Sequence, residues 1–310
     1  MTLIDQVYDV IVIGAGVAGA HAAMSAGRRG ARTLLLTSSW DGVCYLAWGP
    51  RFNSAEARFE LRGIYGQKLM KSIIAPPGSA PGIGNGAIYI DGHIYQGLWK
   101  YALESHERVA VFQDTCEEIG HESRGWRVAT KWGQKFRAKS LVLAVGTFLD
   151  AEVASGQKKM RGGRPGDTGA DDLGRSLIDL GLELEPDRKM AGPIIAADTT
   201  VVDRLRENMF QLEPVDQGLK QFYVDWHRDG HGKGRGRLKE AELGDAHIIK
   251  PAFAVNFRCI KRANLDDQDG CVALKGFFAA GKVVGARSYA DSARQGIAAG
   301  RGAARVSRET

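Results

Sequence analysis

Gly14-Ala15-Gly16-Val17-Ala18-Gly19, near the start of the chain, has the residue types and spacing to hold a pyrophosphate. Gly14 permits a tight turn, Gly16 lets the backbone approach phosphate oxygens, and Gly19 lets a helix pack close to its strand. The free N–H groups and dipole at the start of that helix would face the anion. The context agrees. Tyr8-Asp9-Val10-Ile11-Val12-Ile13, just ahead, reads as a parallel strand buried on both faces. Val17 to about Arg28, just after, is a run of small residues that reads as the helix.

Other stretches extend the same chemistry. Ala31–Thr37 reads as a second parallel strand. Near its end a nicotinamide enzyme usually carries an acid for a ribose hydroxyl. Here stand Thr37, Ser38 and Ser39, which weakens a plain NAD-dehydrogenase reading and leaves an FAD reading open, with a hydroxyl or backbone group on the ribose. Ser140–Thr147 passes Ala144 and closes on Gly146 and Thr147; Lys275–Gly281 closes on Gly281. Three glycine-terminated strands, far apart in sequence, fit one long two-headed cofactor touching both chain ends. Ser288 and Asp291 form an S-x-x-D start for a last helix, Tyr289 to about Arg305. Its dipole end, with Lys282 or Arg287, would stabilise negative charge on a reduced flavin, or the helix is simply capped and serves packing alone. Cys44 is a candidate redox thiol, or a small buried hydrophobe. His227 and His231 with Cys259 and Cys271 lack the compact pairing of structural zinc, so no metal site is expected.

The elements that must position these residues follow from patterning. With 310 residues and 44% apolar composition, the chain suits two domains, or one domain with an insertion. No apolar run suits a membrane span. A first strand beginning by Tyr8 leaves no room for a signal peptide, so a cytoplasmic location is expected. The four cysteines form no C-x-x-C and read as no disulfide framework. A net charge of +6 favours anionic partners, nucleotides and nucleic acid among them, or is simply a solvated basic surface. Asn53–Leu69 has enough helix formers for a helix, and the proline-rich Ala75–Gly82 is a loop. Tyr95–His106 reads as a helix, Val109–Phe112 as a strand and Gly125–Lys139 as a hairpin. This order describes an α/β fold, a doubly wound parallel sheet with a β-meander. Residues 1–150 and 270–310 would form this FAD-binding, Rossmann-like domain, and 151–269 a small inserted substrate or partner domain. The insert includes the basic, glycine-rich Arg228–Lys239.

The chain resembles the glucose-inhibited division protein A family of FAD enzymes, which modify the wobble uridine of certain transfer RNAs. Four stretches carry the likeness. They are Tyr8 to Gly16; Thr33 to Thr37, without the acid; Leu141 to Leu149 followed by Gly162-Gly163-Arg164-Pro165-Gly166-Asp167; and Gly276 to Gly281 with Tyr289, Ala293, Gln295, Gly296 and Gly300. The resemblance implies glycines 14, 16 and 19 at the pyrophosphate and Cys116 near the adenine through its main chain. It implies that the Arg161–Asp167 turn borders the flavin, and that Gly281 and Lys282 lie along the ribityl chain. The expected cofactor set is thus Gly14, Ala15, Gly16, Val17, Ala18, Gly19, Thr37, Ser38, Cys116, Ala144, Gly146, Thr147, Arg161, Gly281, Lys282, Tyr289 and Gln295, with Cys44 the catalytic candidate. In the family NADH reduces the flavin, which works on a one-carbon adduct. This chain departs from it. It looks like a short relative without the C-terminal helical domain, and Trp48 stands where the family has a reactive cysteine. Three activities stay open: an oxidoreductase using NADH or NADPH on an unknown acceptor, a transfer-RNA modification factor working with a partner chain or as a homo-oligomer, and a non-catalytic flavin binder.

Overall fold

The computed structural model describes residues 7–53, 73–74, 87–123, 125–170, 172–207, 210–216, 218, 220–229, 246–266 and 274–309. Strand β1 (Val7–Ile13) runs through the glycines into helix α1 (Val17–Arg28), then β2 (Thr33–Thr37). A small antiparallel sheet follows, of β3 (Arg51–Asn53), β4 (Ile73–Ile74) and β5 (Ala87–Ile90). Helix α2 (Gly92–Glu104) comes next, its first amides at His93 and Ile94 capped by the Asp91 carboxylate. Then come β6 (Val109–Gln113) and a meander of β7 (Cys116–Glu122), β8 (Gly125–Thr130) and β9 (Lys135–Leu143). The chain closes with β18 (Phe277–Ala279) and α5 (Tyr289–Glu309).

The main sheet is a parallel path, β6-β2-β1-β9-β18, with the meander attached to β9. Strand β9 is one element where the sequence suggests a hairpin arm and then a separate strand. Its first half pairs antiparallel with β8, and Leu141–Leu143 pairs parallel with β18. No glycine or proline interrupts residues 135–143, so nothing breaks the extended run.

Period-two alternation sorts the sheet's side chains into two cores. Val10, Val12, Leu35, Val142 and Phe278 face α1, α2 and α5. Ile11, Ile13, Leu34, Leu36, Leu141, Leu143 and Phe277 face the inner side of the meander (Ile119, Trp126, Val128, Phe136). Helix α3 (Leu173–Asp179) also packs on this second face, where the Ile119 amide donates to Ser176 Oγ at 3.2 Å. Part of the segment 151–269 therefore shares the core of the main sheet.

The rest of that segment is two four-stranded antiparallel sheets. One is built from β10 (Glu152–Ser155), β11 (Lys158–Arg161), β12 (Leu184–Ala191) and β17 (Phe253–Ile260), in the order β11-β10-β17-β12. The other is built from β13 (Ile194–Ala196), β14 (Phe210–Pro214), β15 (Gln221–Asp229) and β16 (His247–Lys250), in the order β14-β15-β13-β16. Helix α4 (Thr199–Glu207) lies against β14. The helix expected over Asn53–Leu69, beyond Asn53, and the Ala75–Gly82 loop lie outside the described residues. So do Cys271 and nearly all of Arg228–Lys239.

The two chain ends meet at helices α1 and α5. A methyl group on Gly296 would overlap the Ala18 carbonyl, and one on Gly300 the Ala22 carbonyl. The missing side chains set the contact distance between the helices. Ser25 Oγ donates to the Ile297 carbonyl at 2.9 Å across the same seam.

Candidate functional site

The three glycines of the opening turn have three different duties. Gly14 sits at φ +96°, and an added Cβ would lie 2.5 Å from the Ala144 carbonyl oxygen. A Cβ on Gly19 would overlap the Gly14 carbonyl, so Gly19 serves helix-on-strand packing. Gly16, the N-cap of α1, differs. A Cβ there meets no protein atom within 4 Å, and no side chain caps the helix. The first turn of α1 thus presents bare amides to open space, the arrangement that receives a phosphate.

That space is a cavity of about 600 Å³. One end is walled by Gly14–Ala18 and by Thr37, Ser38 and Ser39 at the tip of β2. Asp114–Cys116 lie beside them, and Ala144–Phe148 run along its length. Gly281, Lys282 and Arg287–Tyr289 bring in the other end of the chain. Tyr45, Trp48, Arg51, Lys189, Glu213 and Tyr223 complete the far end, the last three from the inserted sheets.

Local contacts fix these walls. Thr147 Oγ1 donates to the Gly163 carbonyl at 2.8 Å, pinning the Gly162–Asp167 turn. That turn places the Arg164 guanidinium 4.6 Å from the Tyr45 ring centroid, ion-paired with Asp167. The Gly281 amide donates to Gln295 Oε1 at 2.9 Å, and Gly281 itself holds φ +86°. Ser288 Oγ accepts from the Asp291 amide at 3.1 Å, capping α5 so that its positive end opens on the cavity. Tyr289 Oη accepts from the Trp48 amide at 2.9 Å, and burial pushes its phenol above its ordinary value.

Most of the expected cofactor residues therefore share one cavity, and four of those singled out stand apart. Gly19 lies behind the glycine turn, and Gln295 acts through the Gly281 amide. Arg161 is exposed on β11; Arg164, three residues on, is the arginine of that motif that reaches the cavity wall. Cys44 is fully buried behind Ala15, whose carbonyl takes the Cys44 amide at 2.9 Å, and is not part of the wall. Burial holds the Cys116 thiol well above its ordinary value, so it stays protonated. Sequence reasoning overlooked Lys189, Glu213 and Tyr223, which sit in no motif, and Arg51, which follows an irregular stretch; the resemblance marks Trp48 only as standing where the family has a reactive cysteine.

A parallel sheet with this strand order, a glycine turn aimed at a helix start and a second glycine strand on the same cavity define the FAD-binding, Rossmann-like class. The sequence model described as Glucose inhibited division protein A matches residues 9–217 and 242–310, and the chain belongs to that family. GidA of Aquifex aeolicus superposes with a TM-score of 0.82 at 19% identity, over 100% of this chain and 65% of that one. The chain thus spans under two thirds of that protein. The GidA-related protein of Thermus thermophilus gives 0.59 at 20% identity, covering 95% of this chain and 97% of that one. Glycine oxidase of Geobacillus kaustophilus gives 0.58 at 12%, covering 98% and 95%. At such identities the likeness is one of fold. Among the described residues no helix is long and apolar enough to cross a membrane.

Proposed function

We propose that the chain binds FAD along this cavity and works as a flavin oxidoreductase, with NADH or NADPH as reductant and an acceptor seated against the inserted sheets. The observation that carries this reading is that both chain ends line one cavity, with a side-chain-free cradle at Gly16. When bound, FAD supplies hydride acceptance and donation at its N5 atom. The amides at Gly16–Ala18 hold the pyrophosphate, and Thr37 and Ser38 offer hydroxyls to the ribose. The start of α5 and Lys282 favour negative charge at the ring end, while Asp187, 2.7 Å from Lys282 Nζ, holds that cation in place. The test is direct. Flavin released from purified protein is identified chromatographically, and loss of the oxidised-flavin absorption is followed anaerobically with each nicotinamide. Colourless protein that ignores added FAD ends the reading; flavin that neither nicotinamide bleaches leaves a non-catalytic binder.

A second reading, an RNA-modification factor acting with a partner chain, is favoured by the outer face of α5. Its exposed residues are Arg294, Arg301, Arg305, Arg308 and the final Glu309. Arg29 lies close enough that, after burial, repulsion from Arg301 and Arg308 lowers its pKa. Such a stripe suits phosphates and predicts steep salt dependence. Replacing Arg301, Arg305 and Arg308 with glutamine should flatten the log–log salt slope of transfer-RNA binding by about 2 to 3, at roughly 0.7–0.9 per lost phosphate contact. Anisotropy titrations measure it, and absence of binding at low salt ends this reading.

A further inference from the structure

The far end of the cavity holds a cation that the cofactor reading leaves unused. Asp187 and Lys189 are two apart on β12 and so share one face of the strand. Lys189 Nζ lies 5.9 Å from the centroid of the Trp48 ring, on the cavity wall. Three other cations of that wall have their own carboxylates. Arg51 has Glu213 at 3.7 Å, Arg164 has Asp167, and Lys282 takes Asp187 at 2.7 Å. Asp187 is thereby committed, and Cys259 Sγ also contacts it at 3.7 Å. Burial and the Asp187 charge push that thiol up to about 12, so Cys259 stays neutral and adds no countercharge. Among the described residues Lys189 forms no ion pair. Lys189, Lys282 and Asp187 together leave one net positive charge, half-buried between Trp48 and Phe253 on one side and Phe257 under Lys282 on the other. Burial, and then repulsion from Lys282, lower the Lys189 pKa, and the attraction of Asp187 offsets them only in part.

We propose that Lys189 is an anion subsite of the acceptor chamber, and that the molecule this chain acts on is an aromatic or planar carboxylate whose acid group pairs with Lys189 while its ring lies among Trp48 and its aromatic neighbours. The carboxylate replaces the missing countercharge, and a charge-assisted hydrogen bond in a dry site is stronger than a neutral one. The aromatic wall adds apolar contact for a flat ring. Lys189 here positions and selects the substrate; it forms no covalent bond. The inference rests on the FAD reading for its place in the reaction, but the subsite itself belongs to the protein.

Benzoate serves as the probe, by calorimetry on the protein with FAD added and on the protein without it. Wild type should bind benzoate in both titrations. Lys189→Met and Lys189→Gln should weaken it by about 10- to 100-fold, Lys189→Arg should keep most of it, and FAD affinity should not change in any of them. The methionine and glutamine substitutions are made in parallel so that one of them failing to fold leaves the other, with circular dichroism as the check. Benzoate binding that survives both, or that wild type lacks at millimolar probe, overturns the subsite. A tenfold loss of FAD affinity in Lys189→Gln also overturns it, because Lys189 would then serve the cofactor. Failure of wild type to take up FAD sinks the FAD reading alone, since the titration without FAD still decides the subsite.

Discussion

Gly16→Ala should fold with a stability loss of at most about 1 kcal/mol and bind FAD about 10- to 100-fold more weakly. The two halves of this result have separate causes. A Cβ at this position meets no protein atom within 4 Å, and the backbone is at φ −66°, open to any residue. Alanine caps a helix somewhat less well than glycine, so the unliganded protein should lose at most about 1 kcal/mol. The new methyl group projects into the space left for the pyrophosphate and holds it off the amides at the start of α1. Losing about one charge-assisted hydrogen bond, at roughly 1.5–3 kcal/mol, gives the expected drop. Urea denaturation without cofactor and fluorescence titration with FAD measure the two halves. Gly19→Ala is the control with the opposite signature. Its Cβ would overlap the Gly14 carbonyl, so it should fail in stability before affinity can be read. Equal FAD affinity in Gly16→Ala and wild type would show that the glycine turn holds no phosphate.

The glycine turn, the three closing glycine strands and the last helix were legible because each is a local pattern with one physical meaning. A continuous apolar run is a strand buried on both faces, and the two cores on either side of β1 show why it reads that way. The inserted sheets were not legible, for an equally local reason. Strand β12 is Leu-Glu-Pro-Asp-Arg-Lys-Met-Ala, with most residues partly or fully exposed, so its polar character hides an eight-residue pairing with β17. Only the partner strand, far along the chain, gives those residues a face. Lys189 was invisible for that reason: its significance lies in where Asp187 spends its charge, which no spacing reveals. The Arg161–Asp167 turn shows an intermediate case. The motif marked the segment, but strand pairing with β10 turns Arg161 outward, whereas the turn carries Arg164 in. Cys44 fails similarly. Its nearness in sequence to the cavity residues Tyr45 and Trp48 hides a φ of +49° and a fully buried side chain.

Gly296→Ala combined with Gly300→Ala should destabilise the protein by up to about 4 kcal/mol and weaken FAD binding with it. Helix propensity argues the other way, since each alanine favours an isolated helix by about 1 kcal/mol over glycine. Sterics decide the sign. Each added Cβ would overlap a backbone carbonyl of α1, at Ala18 and Ala22, and a backbone atom cannot swing aside as a flexible side chain can. Helix α5 must move outward, at an overpacking cost of roughly 1–3 kcal/mol per site. The Ser25 to Ile297 hydrogen bond lengthens in the same movement. Gln295, next to Gly296, carries the Gly281 amide with it, and Gly281 is already so close to α1 that a Cβ on it would lie 2.8 Å from the Ala18 methyl. Displacing the helix therefore opens the cavity where the two chain ends meet. Denaturation midpoints and FAD titrations of the single and double variants measure the effect. Wild-type or higher stability in the double variant would mean that α1 and α5 do not pack face to face, and the shared cavity would lose its structural basis.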